Sequence, residues 1–250
     1  MSHLRENGSK LAGPEKRLLV WIARNLPTSI HSDHLSALAL ATMLGAGASF
    51  AFISTSGWFA VTFVGCLVAN WFGDSLDGTV ARVRGQQRPR YGYYVDHVID
   101  LAGTAALVGG MALSGLMTPA IGFALLAVYF MVAAESFLAT HSAGIFRMSF
   151  AGFGPTELRI VLAAGAIKVA VSPTVELIGR RLQLLDVGGA VAIGGLAVAF
   201  VASAMRNGVT LYQAEPLPEA SAPAVDSRAP RRRRAHAAPK QGMGLWPAGS

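Results

Sequence analysis

Between His34 and Ala134 the chain carries four acidic residues and no others: Asp74, Asp77, Asp96 and Asp100. The sequence around them is strongly apolar, and an ionisable group in such a setting is costly enough to signal function. Asp74 and Asp77 are three residues apart, Asp96 and Asp100 four apart. On helices, each pair then shares one face. Gly78 and Ala81 fall on the side of the first pair and Gly92 on the side of the second, so bulk is missing where a ligand would approach. Four carboxylates this close repel one another and take up protons unless cations neutralise them. An all-oxygen, hard donor set of this kind suits Mg²⁺ or Mn²⁺. The segment joining the two pairs holds Arg82, Arg84, Arg88 and Arg90. Arginines beside metal-binding acids imply a phosphate-bearing substrate. Two metal ions can clamp the entering and leaving oxygens of a displacement at phosphorus. The planar fork of Arg82 can bind a phosphate, and Asp100 can take the proton of an attacking hydroxyl.

Written out, the pattern is Asp74-x-x-Asp77-Gly78-x-x-Ala81-Arg82, residues 83–91, then Gly92-x-x-x-Asp96-x-x-x-Asp100. It resembles the signature of the CDP-alcohol phosphotransferases, with a gap one residue longer than usual. The likeness covers about residues 15–206. It implies that Asp74, Asp77, Asp96 and Asp100 ligate two divalent ions and that Asp100 is the general base. It also implies that Gly78, Ala81 and Arg82 surround the CDP moiety. The stretch Ser32-Asp33-His34-Leu35-Ser36 is similar to the family's Pro-Asn-x-x-Thr segment, which places Asp33 and Ser36 at the nucleotide. The reaction implied is transfer of a phosphatidyl group from CDP-diacylglycerol to a small alcohol, with release of CMP. The reverse arrangement, a CDP-linked head group passed to diacylglycerol, is the alternative. The resemblance further implies a homodimer. Asp96-His97 is similar to a pair in the choline and ethanolamine branches, but one residue does not assign a substrate.

The elements that must position these residues are membrane helices. Of the 250 residues 52% are hydrophobic and 14% charged, well short of the quarter charged in soluble domains. Long apolar stretches alternate with short basic ones, and strand-like alternation is absent, which favours helices over a barrel. The fold class expected is all-α: six transmembrane helices, at about 35–53, 58–83, 92–115, 119–138, 156–171 and 187–205, after an amphipathic helix at 15–26. In that helix Leu18, Leu19, Ile22 and Leu26 recur at helical spacing beside Lys16, Arg17 and Arg24, as in a helix lying on a membrane surface. Pro27 ends it. With both termini in the cytosol, the outer loops hold only Lys168, Arg180 and Arg181 of the 21 Lys and Arg. That asymmetry orients the protein in the cell (inner) membrane with the acids at the cytosolic side. The net charge of +7 is thereby explained by topology, with no nucleic-acid partner.

Residues 1–14 are expected to be disordered and 207–250 to form a disordered basic tail. No secretory signal is evident. Cys66, the single cysteine, lies in an apolar run and reads as a core residue. His97, Glu135, Arg147 and Arg159 are the candidate lining of an acceptor pocket, although Glu and Arg at a helix start also have an ordinary interfacial role. Trp21, Trp58 and Trp71 read as interface anchors. The rival function is a divalent cation transporter, which would want its acids near the midplane with access to both sides. A scaffold with a decayed site is a third reading, and retention of all four acids opposes it.

Overall fold

The computed structural model describes residues 4–6, 12–143, 145–147 and 155–215, with the backbone alone for 4–6, 12, 143 and 145–147. The elements run β1 (Leu4–Glu6), α1 (Ala12–Asn25), α2 (Ser32–Ala51), α3 (Trp58–Val83), α4 (Pro89–Leu113), α5 (Pro119–Ala143), β2 (Ile145–Arg147), α6 (Pro155–Val171), β3 (Thr174–Leu177), β4 (Arg180–Gln183) and α7 (Leu184–Ala214). Helices α2, α3, α4, α5 and α7 are long and apolar enough to cross a membrane. The chain divides into Met1–Ala214 and Glu215–Ser250. The first unit carries all the elements; of the second, Glu215 alone is described.

Helix α2 lies against both acid-bearing helices, α3 and α4, and small residues on all three are the reason it can. A Cβ added at Gly110 would stand 2.0 Å from the Gly47 carbonyl oxygen, and one at Gly47 would stand 2.3 Å from that of Ala106. At the other end of α2, a Cβ at Gly73 would meet the Leu35 carbonyl oxygen at 2.7 Å. Backbone touches backbone at both crossings, as small residues allow in a membrane, where packing rather than a hydrophobic force joins helices. The larger core cluster fills the opposite end of the bundle, around Phe50, Phe63, Leu67, Leu107 and Met111. There Phe50 and Phe63 meet edge to face with centroids 5.0 Å apart.

A second cluster joins α1 to α2 and α3 through Leu19, Ala23, Leu35, Leu76 and Val80. Helix α1 thus buries Leu19 and Ala23 while Leu18 and Trp21 remain exposed. Its last turn is capped by Asn25, whose Nδ2 donates to the Trp21 carbonyl at 2.8 Å. The turn from α1 to α2 is closed by Arg84, which donates to the carbonyls of Ile30 (2.6 Å), Leu26 (2.9 Å) and Pro27 (3.0 Å). Glu15 Oε1 accepts from Trp71 Nε1 (2.7 Å) and Thr156 Oγ1 (3.0 Å), so one carboxylate ties α1 to α3 and α6. Trp71 therefore has an interhelical partner for its indole N–H. Gly85, at φ +66°, lets the chain leave α3 and turn into α4, which Pro89 opens.

Helix α6 runs antiparallel to α3: Arg159 meets Asn70 and Asp74 at one end, and Val169 and Ala170 lie beside residues 53–57 at the other. Its 17 residues rise only about 25 Å, so it falls outside the helices that satisfy length and apolarity among the described residues. Helices α5 and α7 run side by side. Asp186 fastens one end by accepting from Thr118 N and Oγ1, at 2.7 and 2.6 Å. Asn207 Nδ2 fastens the other, donating to Glu135 Oε1 at 2.7 Å. Helix α7 extends from 184 to 214, beyond the expected 187–205, because Asn207 has its partner on α5 and Val209 and Tyr212 continue the apolar pattern. Between α6 and α7 the sequence reading placed a loop; the structure has an antiparallel hairpin, Val175 opposite Leu182 and Leu177 opposite Arg180. At the cytosolic-side connection of the sequence reading, β1 pairs in parallel with β2, Leu4 opposite Ile145.

Replacing Gly47 by alanine forces α2 away from α4. The expected cost is about 1–3 kcal/mol, read as a lowered unfolding temperature of the detergent-solubilised protein. Alanine at Gly65, where a Cβ meets nothing within 4 Å, should leave that temperature unchanged.

Candidate active site

Asp74 and Asp77 lie towards the end of α3, Asp96 and Asp100 in the first half of α4, and the turn from α3 to α4 brings the two pairs to the same end of the bundle. The charges of Asp74 and Asp96 act on Asp77, and those of Asp74, Asp96 and Asp77 act on Asp100. The charges of the other three thus converge on Asp100.

Each carboxylate has distinct surroundings. Asp77 is held from α2: Ser36 Oγ donates to Asp77 Oδ2 at 2.6 Å and Ser32 Oγ to the Asp77 carbonyl at 3.0 Å. Its Oδ1 accepts from the Gly78 amide. Asp74 is held from α6: Arg159 donates to Asp74 Oδ2 at 2.6 Å, with both side chains mostly buried. Arg159 Nε donates to Asn70 Oδ1 at 2.9 Å, and Asn70 Nδ2 donates to the Ala39 carbonyl at 3.0 Å. A continuous chain from the α2 backbone through Asn70 and Arg159 thus aims Asp74. Arg159 also acts favourably on Asp100, beside which Tyr129 of α5 lies.

Of the residues proposed from sequence, Arg159 joins the acids directly. Arg82 sits against Gly78 and donates to Thr79 Oγ1 at 3.0 Å. Ala81 occupies the same last turns of α3, and Gly92 lies in the first turn of α4 with nothing within 4 Å of an added Cβ. Ser36 reaches Asp77, whereas Asp33 receives Arg88 NH2 on both carboxylate oxygens at 2.5 and 2.6 Å. That pairing raises the Arg88 pKa further, and the guanidinium lies 4.2 Å from the Tyr91 ring centroid. Asp33 and Arg88 border a cavity of about 420 Å³ with His31, Ser32, Gln86 and Gln87.

Glu135 lies apart from the carboxylates, whereas His97 Nδ1 stands 3.9 Å from Asp96 Oδ2. His97 packs against Tyr93 and Phe137, with Nδ1 2.7 Å from the Tyr93 carbonyl. Tyr129 and Phe137 turn towards α4; Glu135 points the other way, to Asn207 of α7. The Arg147 side chain lies outside the described residues. Asn70 is the residue the sequence reading missed. It sits one turn before Asp74, on the same face, and its polar side chain in an apolar helix was the available signal.

The donor set is all oxygen and carries excess negative charge, the chemistry that hard divalent ions satisfy. Among the described residues no three His, Cys, Asp or Glu side chains are close enough together to form a finished cation cage, and Arg159 supplies the positive charge at Asp74.

The sequence profile of the CDP-alcohol phosphatidyltransferase family matches residues 32–204, which include all four aspartates. Among solved structures, the chain is similar to that of Mycobacterium tuberculosis phosphatidylinositol phosphate synthase (PgsA1), determined with CDP-DAG bound. The TM-score is 0.52 at 19% identity, covering 78% of this chain and 94% of that one. No curated protein matches the chain in sequence. The chain belongs to the CDP-alcohol phosphatidyltransferase family: it is a multi-pass membrane enzyme of phospholipid synthesis that transfers a phosphate-containing group. Enzymes of this family generally use divalent metal ions.

Asn70→Leu removes both hydrogen bonds that relay Arg159 to the α2 backbone. The expected loss of stability is about 1–3 kcal/mol, measured by thermal unfolding in detergent. Asn70→Asp, which keeps an acceptor for Arg159, should lose less.

Proposed function

We propose that this enzyme transfers the phosphatidyl group of CDP-diacylglycerol to a small alcohol and releases CMP. The observation that carries the reading is the gathering of Asp74, Asp77, Asp96 and Asp100 into one field at the end of α3 and α4, inside the segment matched by the family. The PgsA1 neighbour, solved with CDP-DAG, supports a CDP-lipid as donor.

In this reading Asp74, Asp77, Asp96 and Asp100 hold two divalent ions, Mg²⁺ or Mn²⁺. Bound there, the ions would supply charge neutralisation at the diphosphate and stabilise the leaving oxygen. Asp100 accepts the proton of the acceptor hydroxyl. The hydroxyl oxygen then forms a bond to the lipid-side phosphorus as the bond from that phosphorus to the CMP oxygen breaks. Ser36 keeps Asp77 oriented, and Asn70 and Arg159 do the same for Asp74. The small faces of Gly78 and Ala81 leave room for the CDP moiety, and Arg82 binds a phosphate oxygen with its planar fork. Asp33 and Ser36 border the nucleotide. Arg159, a cation within reach of Asp74 and Asp100, lies at the acceptor side, a role the sequence also assigns to Arg147. His97 and Glu135 contribute to that pocket by fixing α5 against α4 and α7.

The protein spans the cell (inner) membrane six times in this reading, α6 serving as the fifth crossing in chain order because it runs beside α3 from Asp74 to residues 53–57. Both termini and the carboxylates face the cytosol, as the distribution of Lys and Arg favours. Helix α1 lies at the cytosolic interface with Trp21 and Leu18 towards lipid. The catalytic membrane domain covers about 15–206, with residues 1–14 and 207–250 outside it, and the protein acts as a homodimer.

The test is CMP release from CDP-diacylglycerol by purified protein across a panel of alcohols, including glycerol phosphate, inositol and its phosphate, serine and choline. Acceptor-dependent release is expected, abolished by a chelator and restored by Mg²⁺ or Mn²⁺. Asp100→Asn should lower it about 10²–10⁴-fold. No release with any acceptor would reject the reading. Release only from a CDP-linked head group with diacylglycerol would reverse the roles of the two substrates.

A further inference from the structure

At the end of the bundle away from the carboxylates, the β3–β4 hairpin leaves α6 and returns to α7, and its base is closed by Leu184 N donating to the Pro173 carbonyl at 2.9 Å. Its turn is Ile178-Gly179, with φ of +52° and +69°. Turns of this hand take Asn, Asp or Gly, because a β-branched side chain is strained at positive φ. Here an isoleucine occupies the position and is 95% exposed. Cross-strand pairing puts Val175, Leu177 and Leu182 on one face with Arg180, and Glu176 and Arg181 on the other. Leu177 and Leu182 are exposed too. In water this hairpin would combine a strained turn with an apolar tip and nothing packed on it.

Its position supplies the missing surroundings. Helix α6 has 17 residues, about 25 Å of rise, against about 30 Å of hydrocarbon. The hairpin therefore starts at the hydrocarbon boundary instead of above it. It continues into the apolar α7, and strands of four residues, about 13 Å long, keep it near that boundary. Arginines flanking an apolar tip suit this depth, since their stems lie along acyl chains while the guanidinium groups reach phosphates.

We propose that the β3–β4 hairpin is a membrane-interface anchor. Leu177, Ile178 and Leu182 seat at the acyl-chain boundary of the leaflet opposite the carboxylate site, and Arg180 and Arg181 engage phosphodiester head groups. The anchor fixes the outer ends of α6 and α7 in depth, and it stands independently of which alcohol the enzyme uses.

The full-length protein carrying Cys66→Ala and either Ile178→Cys or Glu176→Cys would be labelled with an environment-sensitive fluorophore. It would then be reconstituted in phosphatidylcholine–phosphatidylglycerol vesicles. The label at 178 is expected to emit to the blue of that at 176. It should also be quenched several-fold more by nitroxides carried on lipid, and several-fold less by aqueous iodide. Leu182→Cys against Thr174→Cys, an exposed position on the Glu176 face, repeats the comparison with the other strand and guards against one variant that misfolds. Equal iodide quenching at both positions of each pair would overturn the proposal. So would a 178 label shielded from iodide and from lipid nitroxides alike, which would mean burial against protein. Replacing Arg180 and Arg181 by glutamine should weaken the lipid quenching at 178; unchanged quenching would refute the head-group contact.

Discussion

The approach of α2 to both acid-bearing helices is so close that no side chain fits between them. Gly47, Gly73 and Gly110 set that distance, and the arrangement of the carboxylates follows from it. With α2 this near, Ser32 and Ser36 reach Asp77, and the Ala39 carbonyl reaches Asn70. Move α2 outward by the width of a methyl group and both hydrogen-bonded supports lengthen together. The opposite-end core around Phe50 and Phe63 holds the same three helices, so the acids sit at the free end of a bundle clamped at its base.

Electrostatics then decides what the free end can be. Four carboxylates at the margin of an apolar medium raise one another's energy, and Arg159 answers as a cation paired directly with Asp74. Arg84 is spent on carbonyls of the α1–α2 turn and Arg88 on Asp33. The arginines of one short segment thus have separate tasks: Arg84 builds the wall, Arg88 borders the cavity beside it, and Arg82 stays near Gly78. A residual negative field inside the site is the natural condition for attracting hard cations together with a diphosphate.

The four aspartates and the small residues between them were legible because their spacing is local: three and four residues apart on helices whose apolar runs are unmistakable. The helix positions were legible for the same reason, although polar partners extended the ends of α7. What depended on contacts between distant segments was not. Asn70 looks like any polar interruption until Arg159, 89 residues later, is placed against it. Glu135 resembled a pocket residue by its position near the end of α5, and only the rotation of that helix reveals that it faces Asn207. The hairpin escaped notice because its four-residue strands are too short for a periodic signal, and because isoleucine stands where a turn would announce itself with asparagine or glycine.

Helices α5 and α7 are joined at both ends by polar pairs, Thr118 with Asp186 and Glu135 with Asn207, and elsewhere present apolar surface. Two such fastenings, one at each end, act as a fixed gauge length. Sliding one helix along the other by a single turn would strand two carboxylates at once, so the pair has no neighbouring register to slip into. Tyr129 brings α5 up to Asp100, and an axial displacement of α5 there is delivered undiminished to α7. The last helix is in this sense a rigid extension of the site, although it contributes none of the four acids.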